Sequence, residues 1–392
     1  MTDIRSQFLL NPDIIHLNHG SYGACPKPIF EDYQQWQLQL ETNTVAFFAR
    51  RGPELLFNSR KVLGEFIGCD ADDVVYTMNP SYAMNIIIKS FPLQSGDEIL
   101  TTDLEYGAMN KTWNYYCKKA DAKYVQSKIT LPVSSKEEVV EEFFKGLTPK
   151  TTAVFISHIT SSTALILPVK EICAKAKELG LITIVDGAHV PGQLPLDLST
   201  LQADIYTGAC HKWLMTPKGS SFLYIKRELQ SLFDPLVISW GYESECPSNS
   251  QFIDYHQLQG TRDFAAFLTI PKALEFRKTF DWDTVSANAR KISQNNYQRF
   301  AEAANGKMLC PISDDFLAQM CSLEINCPDT IKLGSLLYDK YKIEIPVFMH
   351  GSKAYIRYSV QGYNTQTELN RLFEALREIR IATDLLEQTI ST

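Results

Sequence analysis

The sequence predicts an α/β protein: a large domain built on a mostly parallel sheet, then a smaller α+β domain. Three observations carry this. Short apolar runs alternate with helical stretches from about residue 55 to 225, the pattern of a parallel sheet covered on both faces. The 392 residues, 45% apolar and 21% charged, suffice for two sizeable cores in an ordinary globular chain. After about residue 270 the alternation stops, and charged helices precede isolated strands and helices.

In chain order, strands are predicted at 74–78, 98–102, 153–158, 183–186, 205–208 and 222–225, each a short run rich in apolar residues. Helical stretches at 54–67, 82–89, 136–144 and 169–179 fall between them. Ligands of such sheets collect beyond the carboxyl ends of the strands, where Asp186 and His158 stand. Beyond them, 271–304 reads as helical, 317–325 as a strand, 330–341 as a helix and 354–360 as a strand. Thr365-Gln-Thr-Glu368 is a capping box that opens the last helix. No internal repeat or low-complexity segment is present.

Composition narrows the function classes. The net charge of −7 and the lack of a long basic run argue against a nucleic-acid partner. The N-terminus, MTDIRSQFLLNPDII, lacks the layout of a signal peptide. Residues 151–169 carry no Lys, Arg, Asp or Glu, but Ser and Thr residues, His158 and Pro168 interrupt them. They read as a strand and an active-site loop rather than a membrane span. Nine scattered cysteines without a CxxC pair point to reduced thiols in a cytoplasmic protein. Seven histidines without HExxH give no metal site.

Chemistry concentrates in Asp186-Gly-Ala-His189 and His211-Lys212. Asp186 ends one apolar run, and Lys212 follows another. A lysine that forms a Schiff base and a carboxylate that keeps a pyridinium protonated suit pyridoxal 5′-phosphate (PLP). Such a lysine, once released, is the natural base for the Cα proton of an amino acid, provided that desolvation and neighbouring charge lower its pKa. Asn79-Pro-Ser-Tyr follows a predicted strand and opens a helix, so Ser81 and the Tyr82 N–H form a candidate phosphate site. Pro80 removes one N–H donor there.

Seven stretches, in order over nearly the whole chain, resemble one family: HLNHGSYGACP (16–26), FFARRGPELL (47–56), LEYGAMN (104–110), VDGAHVPGQ (185–193), GACHKWLMTPKG (208–219), GTRDFAAF (260–267) and IRYSVQGYN (356–364). The chain is similar to class V aminotransferases, PLP enzymes of fold type I, and within them to isopenicillin N epimerase-like proteins and carbon–sulfur lyases. The resemblance implies a seven-stranded, mostly parallel sheet. It also implies an N-terminal segment (1–20) packing with a small domain (271–392), around a cofactor domain (21–270).

The resemblance implies site roles as well. His189 would bond the cofactor's 3′-oxygen, and Tyr106 would stack on its ring. His211 and Thr261 would contact the phosphate. Thr261 would come from the partner subunit, which implies a homodimer with shared active sites. Arg357 would hold the substrate carboxylate, for which a planar guanidinium is suited. Asn18, His19, Tyr22, Arg50, Arg51 and Arg262 match motifs near the substrate mouth. Epimerisation or racemisation is the first expectation, with Tyr106 or His19 as the proton donor opposite Lys212. β-Elimination from cysteine, a cysteine sulfoxide derivative or selenocysteine is the alternative, ahead of transamination or PLP binding without turnover. Desulfuration through a protein persulfide needs a cysteine on a loop before Arg357, and residues 328–356 contain none.

Overall fold

The computed structural model describes residues 4–386. Its large sheet contains β1 (Val74–Thr77), β2 (Glu98–Thr102), β3 (Lys123–Ser127), β4 (Thr151–Ser157), β5 (Ile182–Asp186), β6 (Ile205–Ala209) and β7 (Ser221–Ile225). Their order is β1-β7-β6-β5-β4-β2-β3. Only β7 is antiparallel to its neighbours. Alternate residues feed opposite cores. Phe155 and Ile184 join Ile87 and Trp113 on one face, while Val154, Ile156 and Val185 join Leu63 and Ile172 on the other.

Burial on both faces explains why most of these strands read as apolar runs. The exception is β3, which the apolar-run criterion passes over. It is an edge strand, it is partly exposed, unlike the opposite edge strand β1, and its sequence is Lys-Tyr-Val-Gln-Ser.

The second sheet is antiparallel, with β8 (Lys307–Met308), β9 (Met320–Ile325), β10 (Val347–His350) and β11 (Lys353–Ser359) in the order β10-β11-β9-β8. The expected strand at 317–325 therefore starts later, and Leu317 instead bridges Leu165 of the large-sheet loop. The helical region at 271–304 is three helices, Ile270–Thr279, Trp282–Asn295 and Tyr297–Ala304. Asp281, at φ +46°, breaks the first from the second. The capping box forms as expected: Glu368 N–H donates to Thr365 Oγ1 at 3.3 Å, and Thr365 N–H to Glu368 Oε2 at 2.8 Å.

The N-terminal segment spans both sheets. Ile15–His16 pairs in parallel with Ile343–Glu344. Ser359 N–H donates to the Leu17 carbonyl at 2.8 Å. A short helix, His19–Tyr22, then ends at Gly23, which is pressed against the segment that bears Lys212. Among the described residues, no helix is long and apolar enough to cross a membrane.

Gly23 has φ +70°, and a Cβ there would lie 2.1 Å from the His211 carbonyl oxygen. Gly23→Ala therefore adds both backbone strain and overlap with backbone atoms. It is expected to cost about 1–3 kcal/mol, read as a lower denaturation midpoint. An unchanged midpoint would mean that this approach is loose.

Candidate active site

Adjacent strands β4 and β5 end side by side, with Ser157 opposite Asp186. Beyond them lies a cavity of about 530 Å³, lined by Asp186, His189, His211, Lys212, Ser81 and Arg357 among others. It sits where the ends of a parallel sheet leave backbone and side chains directed outward.

Asp186 accepts the Ala188 N–H at 2.9 Å through Oδ1, and its other oxygen takes no protein hydrogen bond. Burial pushes its carboxyl pKa up, opposed by that N–H and by Lys212. Lys212 Nζ lies 3.2 Å from His189 Nε2. Desolvation, with the Arg357 charge as the second cause, brings the amine down to about 8, against a smaller opposite effect of Asp186. Trp213 donates its indole N–H to His189 Nδ1 at 3.4 Å. Indole only donates, so a neutral His189 carries its proton on Nε2, facing the amine. Burial, then Lys212, hold the His189 pKa well below its usual value.

Arg357 is buried on β11, where burial lowers it to about 10. Its guanidinium donates to the Ser161 carbonyl and, at 3.3 Å, to Ser21 Oγ. Its Nε has no partner although it is buried. Tyr106 and Tyr22 line the same cavity and are exposed. The preceding Glu105 is fully buried and anchors this turn: it accepts from Thr102 Oγ1 at 2.8 Å and from Ser157 Oγ and N–H at 2.5 and 3.0 Å. Burial raises its pKa to about 7 despite these donors.

On the expected phosphate side, Ser81 lies in the first turn of the helix Pro80–Ser90. The Tyr82 N–H is already taken, at 2.8 Å, by the Asn79 side chain, and the Tyr82 hydroxyl bonds Gln259. The N-cap is therefore Asn79, which also lines the cavity. Tyr82 is not a free donor, contrary to the expectation. His211 donates Nδ1–H to the Ser220 carbonyl at 2.8 Å, and burial lowers its pKa to about 4. Its Nε2 thus donates to an anion only once the anion's own charge favours a protonated ring.

Several expected mouth residues lie elsewhere. His19 is fully buried, with Nδ1 3.0 Å from the Tyr363 hydroxyl and Nε2 3.0 Å from the Lys212 carbonyl. Burial lowers its pKa to about 3. It cannot deliver a proton into the cavity. Asn18 accepts from Ser21 Oγ at 2.5 Å and reaches Glu344 at 3.5 Å. Arg51 bonds Gln39, and neither it nor Arg50 lines the cavity. Thr261 and Arg262 line a separate hollow of about 750 Å³ with Val45 and Phe48. That hollow is larger, but it lacks a lysine and a strand end. His158, one residue past β4, bonds the Tyr206 hydroxyl at 3.1 Å rather than entering the site.

Ser21, Ser157, Ser161, Asn79, Glu105 and Trp213 were not anticipated. Ser21, Asn79, Glu105 and Trp213 fall within stretches that the sequence marks, at 16–26, 79–82, 104–110 and 208–219, whereas nothing in the context of Ser157 and Ser161 separates them from structural residues. Among the described residues no cluster of His, Cys, Asp or Glu could hold a metal ion.

A sequence model described as Aminotransferase class-V matches residues 26–372. The chain is 31% identical over 388 residues to an isopenicillin N epimerase of Amycolatopsis lactamdurans, covering 96% of this chain and 97% of that one. It is 26% identical over 417 residues to a probable chloroplastic L-cysteine desulfhydrase of Arabidopsis thaliana, covering 96% and 85%. A solved structure of a mutant of C-DES, a cystine C–S lyase, has glycine covalently linked to its PLP cofactor. It superposes with a TM-score of 0.82 at 21% identity, covering 96% of this chain and 100% of that one.

The charge arrangement makes a prediction that needs no ligand. In cofactor-free protein, labelling of Lys212 by a small amine-directed reagent should rise through pH about 8, not 10.5, because only the neutral amine reacts. Arg357→Leu removes a repelling cation and should move the midpoint up; Asp186→Asn should move it down. Mass spectrometry of the labelled peptide reads both. A midpoint at the ordinary lysine value, unmoved by Arg357→Leu, would refute this electrostatic account.

Proposed function

The chain belongs to the class V aminotransferase family of PLP-dependent enzymes, and from that premise we propose that it is an α-amino-acid epimerase in which Lys212 removes the Cα proton. The observation that carries the reading is the single cavity that Lys212 shares with Asp186 and Arg357, where burial and the Arg357 charge lower the amine to about 8. A base poised near neutral pH suits proton abstraction. The likeness to an isopenicillin N epimerase over nearly both full lengths supports the choice.

The residues present fit PLP. Asp186 has an oxygen without a protein donor, and Arg357 has a buried Nε without a partner. In this reading Lys212 would anchor the cofactor, Asp186 would pair with its ring nitrogen and His189 would bond its 3′-oxygen. Ser81 and His211 would hold its phosphate, with Asn79 beside them, and Tyr106 would stack on the ring. When bound, the cofactor supplies an electron sink for the charge left at Cα.

The chain's own groups do the rest. Arg357 holds the α-carboxylate and so sets the Cα–H bond towards Lys212. The amine is available to take the proton because burial and Arg357 destabilise its charged form and so leave more of it neutral near neutral pH. Tyr106, exposed on the same cavity, is assigned as the second proton carrier. His19 is withdrawn from that role by its burial.

A second reading, β-elimination from a cysteine derivative, is favoured by the thiols. Residues 328–356 hold no cysteine, and burial raises Cys310 and Cys321, the latter to about 11. Among the described residues, no cysteine lines the cavity to take sulfur. Carbon–sulfur cleavage in this site would therefore end as elimination, as the likeness to an L-cysteine desulfhydrase also supports.

The assembly is proposed to be a homodimer. Thr261, exposed beside a hollow lined by Val45, and exposed Trp240 and Ile238 support a covering second copy. Thr261 and Arg262 would then serve that copy's site. The same reading divides the chain into 1–20, 21–270 and 271–392, with Lys212 in the second part and Arg357 in the third. Nine free thiols support a reducing, cytoplasmic setting.

Incubating PLP-loaded enzyme with a panel of L-amino acids in deuterated water decides between the readings. Epimerisation gives the D-isomer with deuterium at Cα. Pyruvate, ammonia and a thiol give the second reading. Alanine as main product, blocked by alkylating one cysteine, refutes both. Lys212→Ala should abolish turnover and the visible cofactor band. Arg357→Lys should keep the band and lower kcat/KM at least about tenfold, since a charge-assisted hydrogen bond is worth roughly 1.5–3 kcal/mol. Near-normal kcat/KM would move the carboxylate grip to another residue.

A further inference from the structure

We infer that His19 is a positioning residue: it ties the strand carrying Arg357 to the backbone of Lys212, so that the carboxylate grip and the reacting amine share one frame. The inference rests on the reading of Lys212 as that amine. It starts from a side chain that the reaction does not use. His19 is fully buried and lies outside the cavity lining, yet both ring nitrogens are engaged.

Two routes run from His19 to Lys212. The first is direct: Nε2 lies 3.0 Å from the Lys212 carbonyl. The second passes through packing. The His19 ring centroid is 4.8 Å from that of Trp213. Trp213 donates to His189 at 3.4 Å, and His189 Nε2 lies 3.2 Å from Lys212 Nζ. One imidazole thus braces the main chain of the lysine and the indole that orients the neighbour of its amine.

The other side of the frame is equally specific. His19 Nδ1 meets the hydroxyl of Tyr363, a buried residue just after β11. The next residue, Gly20, donates its N–H to Ser359 Oγ at 3.0 Å. Ser359 N–H donates to the Leu17 carbonyl at 2.8 Å. Ser359 ends β11, two residues beyond Arg357. Gly23, at the far end of the same short helix, touches the His211 and Lys212 backbone.

The protonation state suits a strut. A carbonyl only accepts, so Nε2 carries the proton to Lys212, and Nδ1 accepts the Tyr363 O–H. The Gln361 amide nitrogen lies 3.2 Å from the same Nε2 and would donate to it only in the opposite tautomer, so the nearer Lys212 carbonyl, at 3.0 Å, sets the proton. Burial, with His16 as a smaller cause, keeps the ring neutral. The polarity of the contact therefore does not change with pH in the working range. A ring without nitrogens would leave a buried hydroxyl unpartnered and remove one donor from the lysine carbonyl.

The test compares His19→Phe, which keeps the ring, with His19→Gln, whose amide N–H can take the place of Nε2–H. In cofactor-free protein, amide exchange at 211–216 should quicken in His19→Phe while the remaining core is unchanged. In PLP-loaded protein, the pH midpoint of the visible band should move. With the amino acid that wild type turns over best, kcat should fall about tenfold and KM should stay within about twofold, the size of one lost hydrogen bond. His19→Gln should recover most of each.

Unchanged exchange and midpoint in His19→Phe, or a Gln variant as impaired as Phe, overturns the inference. If His19→Phe does not fold, Tyr363→Phe deletes a single hydroxyl and must show the same exchange and midpoint changes in smaller size. An unaffected Tyr363→Phe then overturns it. A wild type that gains no visible band with PLP would sink the functional reading alone. The exchange measurement would still decide the role of His19.

Discussion

Removing Lys212, Asp186 and Arg357 from bulk water at one end of a parallel sheet is the constraint on which the rest of the site depends. Desolvation is the first cause of each shift: the lysine and arginine are lowered, and the aspartate is raised. Ionised groups shielded in this way are unfavourable unless paired and hydrogen-bonded. The protein satisfies them only in part. The Arg357 Nε and one Asp186 oxygen lack protein partners. Those unmet demands suit a ligand that offers a hydrogen-bond donor to Asp186 and an acceptor to Arg357. The same desolvation that makes the cavity costly also makes its amine a base near neutral pH.

The architecture explains how such a cluster is held. Asp186 ends β5, a strand buried on both faces, and Ser157 opposite it is locked by Glu105. Arg357 comes from the other sheet, on a strand paired along its length with β9. The two sheets meet at the cavity without a common hydrogen-bonded ladder. Their relative placement therefore rests on crossing segments. The N-terminal segment is one, pairing with Ile343–Glu344 and closing on the Lys212 backbone. The Leu165–Leu317 bridge is another. Arg357 and Lys212 come from different layers, so under their proposed roles small changes in these connections would act on chemistry without touching the cavity wall.

The reaction fork has a physical basis. Proton removal at Cα demands a base, an anchored carboxylate and an electron sink, whatever follows. The product then depends on what stands opposite the base and on the substrate's side chain. Tyr106 and Tyr22 line this cavity and are exposed, so either is placed to carry a proton. Sulfur transfer to the protein would need a thiol at this cavity, and no cysteine among the described residues lines it.

Much of this was legible in the linear sequence because it depends on local pattern. Buried strands read as apolar runs, the last helix announced itself through Thr365 and Glu368, and Asp186 and Lys212 stood out by placement at the ends of such runs. Edge strand β3 was not legible, because a half-exposed strand lacks the apolar signal. The break at Asp281 was not either, since a left-handed residue other than glycine leaves no compositional mark. The side of the cavity on which a residue falls was decided only in three dimensions. His19 and Tyr22 belong to one motif, yet the former is buried behind Lys212 and the latter lines the cavity. Tyr82 was expected to offer its N–H, but Asn79, three residues earlier, had already taken it. Sequence determines which groups are present and how each segment folds. Long-range packing, here of Leu17–Gly23 between Ser359 and Lys212, determines which polar atoms are satisfied by the protein and which are left to a ligand.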